Sequence, residues 1–412
     1  MPSHSLKAFT LPRLMTLLLA GVLANDAMAM QIFVRLPGGQ NIALEVESND
    51  TIENVKAKVY YRTDIAEGFQ QLTFTNQVLE EGRTLGDYNI QKESILFLSM
   101  QLPDYIQDSL QVQSNIVATQ INTAALVLHG NHGHPLNLRA AAENDNCFWA
   151  AGDWGGSNLG GSGDAIGLAE VGGCKVLNDS RTQLGFALGK SWSDDRTSFN
   201  GKQSSDGQYL VAELITPLQS LKPNLWMTLT GYYSDADIDV VRGYSDGITV
   251  DISKGDTEAT TWALRARLDW ENALQTQNIN ITPYVDLSWM ETQVDAYTES
   301  TGSLPAEFAK ARHDVTELRL GLNAQRVMSP TWTLMAGAEA VHRFGETQSG
   351  LSGVVSSVPF NAEGGSDKEW WFHGSVGATM NYASSRISMQ VNASTEGQDP
   401  DVWVALSWSQ SF

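Results

Sequence analysis

The feature that most constrains this fold is a repeated alternation of apolar with polar or small residues in the C-terminal part of the chain. The clearest segment spans residues 261–270, where Trp262, Leu264 and Trp270 fall on one face and Arg265 and Asp269 on the other. A strand with one face towards lipid and one towards a wet lumen needs this pattern, and tryptophans gather where a bilayer meets water. The pattern predicts membrane-spanning strands. Replacing the lumen-facing Arg265 should then be milder than replacing Leu264.

Twelve such segments follow one another, beginning near residues 147, 165, 182, 207, 223, 258, 279, 314, 331, 368, 385 and 401. Short connections at 329–330 and 383–385 contrast with long polar ones at 193–206, 234–255, 295–313 and 345–367. An even strand number, with short turns on one side and long loops on the other, is typical of single-chain bacterial barrels. A soluble β-sandwich also alternates, but it does not need inward arginines and carboxylates in nearly every strand. We therefore predict a 12-stranded antiparallel transmembrane β-barrel over 147–412.

A polar, almost uncharged stretch at 105–129 precedes the barrel, with apolar residues interspersed. As a helix rising 1.5 Å per residue it would be ~36 Å long, enough to traverse a barrel. Inward positions of one early strand are small, namely Gly185, Ala187, Gly189 and Ser191, and would leave room for it. We predict a linker and pore helix over 103–146.

The last strand alternates through Val404, Leu406 and Trp408 to a terminal Phe412. With the polar helix and stretches such as LGFALGKSWSDD (184–195), this arrangement resembles the translocator of type V autotransporters. The resemblance implies an outer-membrane location in contact with the lipid bilayer. It also implies that the barrel-assembly machinery reads a signal that includes Trp408 and Phe412.

The N-terminus has the three parts of an export signal. Lys7 and Arg13 carry positive charge, residues 14–23 are apolar, and small residues lead up to Ala29. Cleavage between Ala29 and Met30 would remove a signal peptide of residues 1–29. An ordinary hydrophobic helix is the alternative.

Residues 30–102 form a separate pattern. Strands are predicted at 31–35 and 41–47 around a Pro37-Gly38-Gly39 turn, a helix capped by Asp50 or Thr51 follows, and strands return at 71–74 and 95–100. The segments MQIFV (30–34), DTIENVKAK (50–58) and DYNIQKES (87–94) make the stretch resemble ubiquitin. The resemblance implies a β-grasp fold.

Several positions at which this stretch differs from ubiquitin bear on partner recognition and on conjugation. The positions of its apolar recognition patch hold Pro37, Thr73 and Ser99, and its diglycine tail is replaced by the continuous sequence QLPDY (101–105). Conjugation through a free C-terminal diglycine is therefore not expected. Of the lysines on which ubiquitin chains are built, Lys56, Lys58 and Lys92 remain, whereas Gln40 and Gln77 replace two others. The remaining lysines are expected to be solvated surface charges.

Other functions lack support in the sequence. A net charge of −21 argues against a nucleic-acid partner.

Cys147 and Cys174 form an even pair in an exported chain and are predicted to make a disulfide near the periplasmic rim, on the first two barrel strands. His129, His132 and His134 could bind zinc, but a polar turn below the pore helix is favoured because no convincing fourth ligand accompanies them. No catalytic motif or cofactor site is recognised, and we expect no enzyme.

The sequence therefore predicts a multidomain protein: a β-grasp ubiquitin-like domain at 30–102, a pore helix and a 12-stranded barrel. We expect it to export or display a non-conjugatable binding domain at the cell surface towards an unknown protein partner. Two alternatives stay open. One is a ubiquitin-mimicking effector released by proteolysis, and the other is a channel plugged by the ubiquitin-like domain.

Overall fold

The computed structural model describes residues 29–141, 145–157, 164–177, 181–245, 249–276, 278–345, 350–362, 368–395 and 400–412. Within them the chain divides into two compact units, one ending at Gln101 and one spanning Leu102–Phe412. No helix among these residues has the length and apolar character needed to cross a membrane.

The first unit is a five-stranded sheet with one helix. Its elements are β1 (Met30–Arg35), β2 (Asn41–Val46), α1 (Ile52–Thr63), β3 (Gln70–Phe74), β4 (Gln77–Val78) and β5 (Ile95–Met100), with 3₁₀ turns at Glu67–Phe69 and Gly86–Tyr88. The sheet order is β2-β1-β5-β3-β4. Thr51 caps α1 by accepting a hydrogen bond from the Asn54 amide at 3.3 Å, and Asp64 ends the helix in a left-handed conformation.

The core of this unit consists of apolar side chains from the sheet, from one face of α1 and from the connecting turns. Its buried members are Ile32, Val34, Leu44, Val46, Ile52, Val55, Val59, Leu72, Leu79, Leu85, Ile90, Leu96 and Leu98. Burying such side chains is worth ~1.5–3 kcal/mol each relative to exposure.

The second unit begins with the helical segment that the sequence predicts. It consists of a short turn α2 (Asp104–Gln107), a 3₁₀ turn (Asp108–Gln111) and the helix α3 (Val112–His129), followed by 3₁₀ turns at Asn131–Gly133 and Pro135–Leu138. Most of α3 is buried around its whole circumference. A helix buried on all sides must be enclosed by other elements.

The enclosure is an antiparallel sheet closed on itself. Its strands are β6 (Asn146–Ser157), β7 (Asp164–Val176), β8 (Gln183–Thr197), β9 (Gly201–Pro217), β10 (Leu225–Ser245), β11 (Val250–Trp270), β13 (Ile279–Val294), β16 (Ala311–Val327), β17 (Trp332–Phe344), β20 (Trp370–Tyr382), β21 (Ser385–Ser394) and β22 (Val402–Ser411). The short β12 (Leu274–Thr276) lies in the turn before β13. Pairing of β22 with β6 and of β11 with β13 closes the ring, so the predicted 12-stranded barrel is confirmed.

The two rims of the barrel differ. At the short-turn rim lie Asn146, Phe412 and the tight turn at 383–384, whereas β8–β11 extend far towards the opposite, long-hairpin rim. The prediction of polar loops at 193–206 and 234–255 is wrong. Paired strands continue to a three-residue turn between Thr197 and Gly201 and to the pair Ser245–Val250. These extensions are polar on the outer face, which suits strands that have left the bilayer.

The long connections after β13 and β17 also carry structure that the sequence does not reveal. The strands β14 (Tyr297–Thr298), β15 (Ala306–Phe308), β18 (Leu351–Val355) and β19 (Val358–Ala362) form a small sheet. The turn of β18–β19 has positive φ at Ser356 and Ser357. Two serines there lack the Asn-Gly signal that usually identifies such a hairpin.

The two faces of the barrel strands follow the predicted alternation. In β11, Trp262 and Leu264 are 54% and 62% exposed on the outside, whereas Arg265 and Asp269 are buried inside. Leu320, Phe372 and Met389 are likewise exposed. The outer wall is therefore apolar and the lumen polar, as a membrane barrel requires.

Candidate functional site

The lumen and the helix that fills it form the main candidate site. At the long-hairpin rim, the Gln113 side chain donates to the carbonyl of Ala309 at 2.7 Å. Farther along, the Gln120 amide donates to the Ser205 hydroxyl at 3.0 Å. Arg139 lies at the short-turn rim, where it pairs with Glu271. The chain therefore enters the lumen among the long hairpins and leaves it among the short turns.

His132 holds the lower part of this segment in place. Its Nε2 lies 3.1 Å from a Glu170 oxygen and its Nδ1 lies 3.2 Å from a Glu213 oxygen. Trp149 and Tyr209 donate to the Glu170 carboxylate at 2.9 Å and 3.3 Å. One carboxylate faces each ring nitrogen, an arrangement that suits an imidazolium with two donors. The polar turn predicted below the pore helix is thus a buried anchor.

Arg265 binds the end of α3 from the opposite wall. Its Nη1 donates to the carbonyls of Leu128 and His132 at 2.7 and 2.8 Å, and its Nε donates to Asp286 at 2.7 Å. The carbonyls at a helix C-terminus lack partners within the helix and carry partial negative charge. The guanidinium therefore satisfies both the helix end and a wall carboxylate.

The wall beside Arg265 carries further charges that neutralise one another. Glu317 accepts from Arg319 and Arg343, both at 2.8 Å, and Glu339 accepts from Arg319 at 2.7 Å. Arg267 pairs with Asp269 at 2.9 Å. These charges belong to the barrel strands alone, so this part of the wall is neutralised without the helix.

The three histidines predicted as a possible zinc site point to different partners. His129 lies 3.9 Å from Asp286, and His134 lies 2.9 Å from the amide of Gln390. Within the described ranges, no three histidine, cysteine or acidic side chains form a group suited to a metal ion.

The small residues of β8 do face inwards, but two of them serve neighbouring rings. A Cβ at Gly189 would meet the Tyr209 ring at 2.1 Å, and one at Gly185 would meet Trp149 at 3.2 Å. Both rings reach Glu170. These glycines therefore make room for the aromatic side chains that orient the His132 anchor.

The predicted disulfide is present between Cys147 and Cys174, which are paired in register on β6 and β7. It lies at the short-turn rim, and the Cys147 sulfur is 3.6 Å from the carbonyl of Leu138. The bond joins the first two barrel strands beside the end of the lumen segment.

The predicted assembly signal lies on the strand that closes the ring. Trp408 and Phe412 are exposed on the outer side, and the backbone of Phe412 exchanges two hydrogen bonds with Asn146 at 3.0 Å each. At the other end of the chain, Ala29 is the first described residue and Met30 begins β1. The predicted signal peptide otherwise lies outside the described residues.

One of the three remaining lysines of the first unit contradicts the prediction that they are solvated surface charges. Lys56 is buried and pairs with Glu81 at 2.8 Å, so it is not a solvated charge. Lys58 binds Asp50 at 2.6 Å, and Lys92 is exposed.

The sheet face that corresponds to ubiquitin's apolar recognition patch is largely polar in this unit. Thr73 donates to the Phe97 carbonyl at 3.4 Å, and Ser99 donates to the Gln71 side chain at 3.2 Å. Phe97 itself is half-exposed beneath the Arg35 guanidinium, 5.5 Å from the ring centre. This face therefore presents the Phe97 ring with the Arg35 guanidinium above it, and not an aliphatic patch.

Comparison with known proteins assigns both units. The autotransporter beta-domain family model matches residues 148–394, and the ubiquitin family model matches residues 32–103. The NEDD8-like protein RUB3 of Arabidopsis thaliana is 30% identical over 73 residues, which is 18% of this chain and 94% of that protein.

Relatives of the longer part are bacterial. An uncharacterized protein from the trpE-trpG intergenic region of Pseudomonas putida is 25% identical over 210 residues, 50% of this chain and 34% of that protein. Esterase EstA of Pseudomonas aeruginosa is 27% identical over 135 residues, 32% of this chain and 21% of that protein. The chain thus spans about a third or less of these two relatives. The translocator domain of autotransporter NalP from Neisseria meningitidis superposes with a TM-score of 0.55 at 14% identity, covering 72% of this chain and 98% of that structure.

Proposed function

Because this chain belongs to the autotransporter beta-domain family and carries a ubiquitin-like domain ahead of its barrel, we propose that it displays that domain outside the cell. The barrel is embedded in the outer membrane, and the displayed domain acts as a binding module towards a protein partner. Neither role requires a catalytic group or a cofactor.

The direction of the lumen segment carries this proposal. Ser109, near its start, accepts a hydrogen bond from Arg242 at 2.9 Å, close to the long-hairpin end of β10. At its other end, the Ala141 amide donates to Ser411 at 3.0 Å beside the C-terminus. In bacterial barrels the longer connections face the outside and the short turns the periplasm. The chain before Leu102 is therefore expected to emerge on the extracellular side.

The junction between the units favours retention over release. β5 ends at Met100 and α2 begins at Asp104, so only three residues lie between a sheet and a helix. A protease needs an extended, accessible stretch, and three residues are a short one. The proposal of a released effector is therefore the weaker one.

The helix inside the lumen also bears on the alternative in which the ubiquitin-like domain plugs a channel. Residues of α3 and of the turns after it already occupy the lumen and satisfy Glu170, Glu213 and Arg265. A second plug is not needed to close the barrel. This favours a displayed domain over one that regulates a pore.

Single-cysteine labelling of intact cells tests the proposal. Tyr61→Cys places a thiol at a residue of the ubiquitin-like domain that is 82% exposed, and Leu221→Cys places one at a 75% exposed residue in the short turn between β9 and β10. We expect an impermeant maleimide to label the first in intact cells and the second only after the outer membrane is permeabilised.

Two results would contradict display. If Tyr61→Cys reacts only after permeabilisation, as Leu221→Cys does, the domain is periplasmic. If the labelled domain is recovered from the medium and not from cells, it is released.

A further inference from the structure

A strap formed by residues 295–310, the connection between β13 and β16, closes over the start of the lumen segment. It leans inwards across β11, where the Ser300 amide donates to the carbonyl of Lys254 at 2.8 Å. The strap also reaches Arg242, which is buried on the lumen side of β10. It therefore bends inwards over the long-hairpin mouth of the barrel.

Arg242 joins the strap to the lumen segment. Its Nε and Nη2 donate to the carboxylate of Glu299 at 2.9 and 2.7 Å, and Nη2 also donates to the carbonyl of Leu304 at 2.6 Å. Its Nη1 donates to the Ser109 hydroxyl at 2.9 Å. The two charged groups are buried, so each depends on its partners. One guanidinium thus binds the strap and the lumen segment at once.

A second contact joins the strap to the lumen segment farther along the chain. The Gln113 amide donates to the carbonyl of Ala309 at 2.7 Å, and Gln113 is buried. Within the strap, Ala306 and Phe308 are also buried, and the Ala306 amide donates to Glu299 at 2.8 Å. The closed strap is therefore a packed structure with two hydrogen bonds to the lumen segment.

The strap has other contacts that involve the barrel alone. The Ser303 amide donates to Asp251 at 2.7 Å, and the Leu304 amide donates to the Tyr244 hydroxyl at 3.0 Å. These bonds bring the strap to the rim whether or not the lumen segment is in place. Closure without that segment would leave a guanidinium N–H and a strap carbonyl buried without partners, which disfavours the closed state.

We propose that the strap is a latch, which closes only after the stretch from Ser109 to Gln113 has reached the long-hairpin mouth and then holds it there. Before that arrival, the contacts with the barrel alone keep the strap at the rim. Afterwards the lumen segment supplies the missing acceptor and donor, and the strap closes. The consequence for the cell rests on the proposed display, because a latched segment keeps the ubiquitin-like domain from sliding back into the barrel.

Cysteine alkylation of the purified full chain in detergent tests the latch. The two natural cysteines form a disulfide, so an added thiol reacts alone. Ala306→Cys is the reporter because Ala306 is buried in the closed strap, and Glu307→Cys is the exposed reference beside it. We expect the reporter to react at least about tenfold more slowly than the reference. Ser109→Ala combined with Gln113→Leu should speed the reporter by about tenfold or more, since the strap then opens more often.

Gln120→Leu and Asp295→Asn are the controls. Gln120 binds the wall residue Ser205 deeper in the lumen, and Asp295 forms a half-exposed pair with Lys310 at 3.0 Å. Neither change removes a bond between the strap and the lumen segment, so neither should alter the rate of the reporter. In detergent these rates do not depend on the side of a membrane on which the ubiquitin-like domain lies, so failure of the latch is distinct from failure of display.

Coupling between two parts of a structure is reciprocal, which provides a second measurement if the combined variant does not assemble. Leu110→Cys reports on the lumen segment, since Leu110 is 2% exposed. Glu299→Gln removes the anion that Arg242 binds and should speed alkylation of Leu110→Cys by about tenfold or more. An unchanged rate for either reporter, or Ala306→Cys reacting as fast as Glu307→Cys in the otherwise natural chain, would overturn the latch.

Discussion

Two adjacent residues of β11 give the sharpest test of the barrel and its helix. Leu264 faces the bilayer, whereas Arg265 faces the lumen and binds Asp286 and the carbonyls of Leu128 and His132. Alternation alone suggests that a lumen charge tolerates substitution. The contacts of Arg265 correct that expectation, because its removal leaves three buried acceptors without their donor.

The magnitudes of the two substitutions are similar. Leu264→Arg places a charge in the apolar band and should cost about 2–4 kcal/mol. Arg265→Leu leaves a buried carboxylate without its partner, which costs roughly 3–5 kcal/mol. Arg267 still lies 3.6 Å from Asp286, so we expect the lower end, about 3 kcal/mol. Stability alone would not separate the two variants.

Conductance separates them. Arg265→Leu unties the end of α3 and should raise conductance in planar bilayers, whereas Leu264→Arg should slow assembly and leave the conductance of folded barrels unchanged. Adding Asp286→Leu to Arg265→Leu should recover part of the stability, since removing both partners of a buried pair costs less than removing one. That double variant should still conduct, because the helix carbonyls stay unbound.

The result that would refute this reasoning is specific. If Arg265→Leu loses stability with no gain in conductance, the helix is held by its other contacts and Arg265 is only a wall residue. Greater conductance of Leu264→Arg would mean that the two faces of β11 are assigned wrongly.

Three further predictions concern other parts of the chain. Isolated residues 30–105 should unfold cooperatively yet form no thioester with ubiquitin-activating enzyme, since no terminal diglycine exists; a thioester would contradict this. Hydrogen bonds from the Thr84 amide and hydroxyl hold the pKa of Asp87 below its usual value. The stability they give is complete above the unfolded pKa of about 4 and is lost as the pH falls through the folded one. Asp87→Asn should therefore lower the melting temperature of that domain at neutral pH and match the natural domain in strong acid; a constant difference would be the contrary result. Replacing Cys147 and Cys174 by serine should cost the barrel about 2–4 kcal/mol, measured by heat-induced gel shift, with no effect expected from reductant on the double variant.

The sequence predicts the parts of this fold that depend on periodic patterns. Strand number, the faces of β11 and the core around Val55 all follow from alternation or helical spacing, because one side of each element must be apolar. It does not predict that β8 and β9 continue past the bilayer, since strands that are polar on both faces look like loops. It also does not predict that Ser356-Ser357 makes a hairpin.

The contacts of the lumen are harder to predict for a different reason. Sequence places His132 near the pore helix and Glu170 and Glu213 on inward faces of their strands, but any inward acid is equally eligible as a partner. Only the registers of β7 and β9 against the β8 strand between them, together with the position at which α3 ends, bring these two carboxylates to the same imidazole. An inward glycine opposite an aromatic residue, as at Gly189 and Tyr209, is the local signal that a ring is being directed into the lumen.

Two separate sets of contacts line the lumen: charges of the wall that pair with one another, and groups of the wall that bind the helix. Glu317, Arg319 and Glu339 satisfy one another across neighbouring strands, and the helix contributes no charge to them. α3 itself is held through backbone carbonyls at Arg265 and through a few neutral side chains such as Gln120. Losing the helix would therefore leave these wall charges paired with one another, whereas Arg265, Glu170 and Glu213 would lose the partners that the lumen segment supplies. A barrel built this way should stay closed as a ring when its helix is detached, which is why conductance is the decisive measurement.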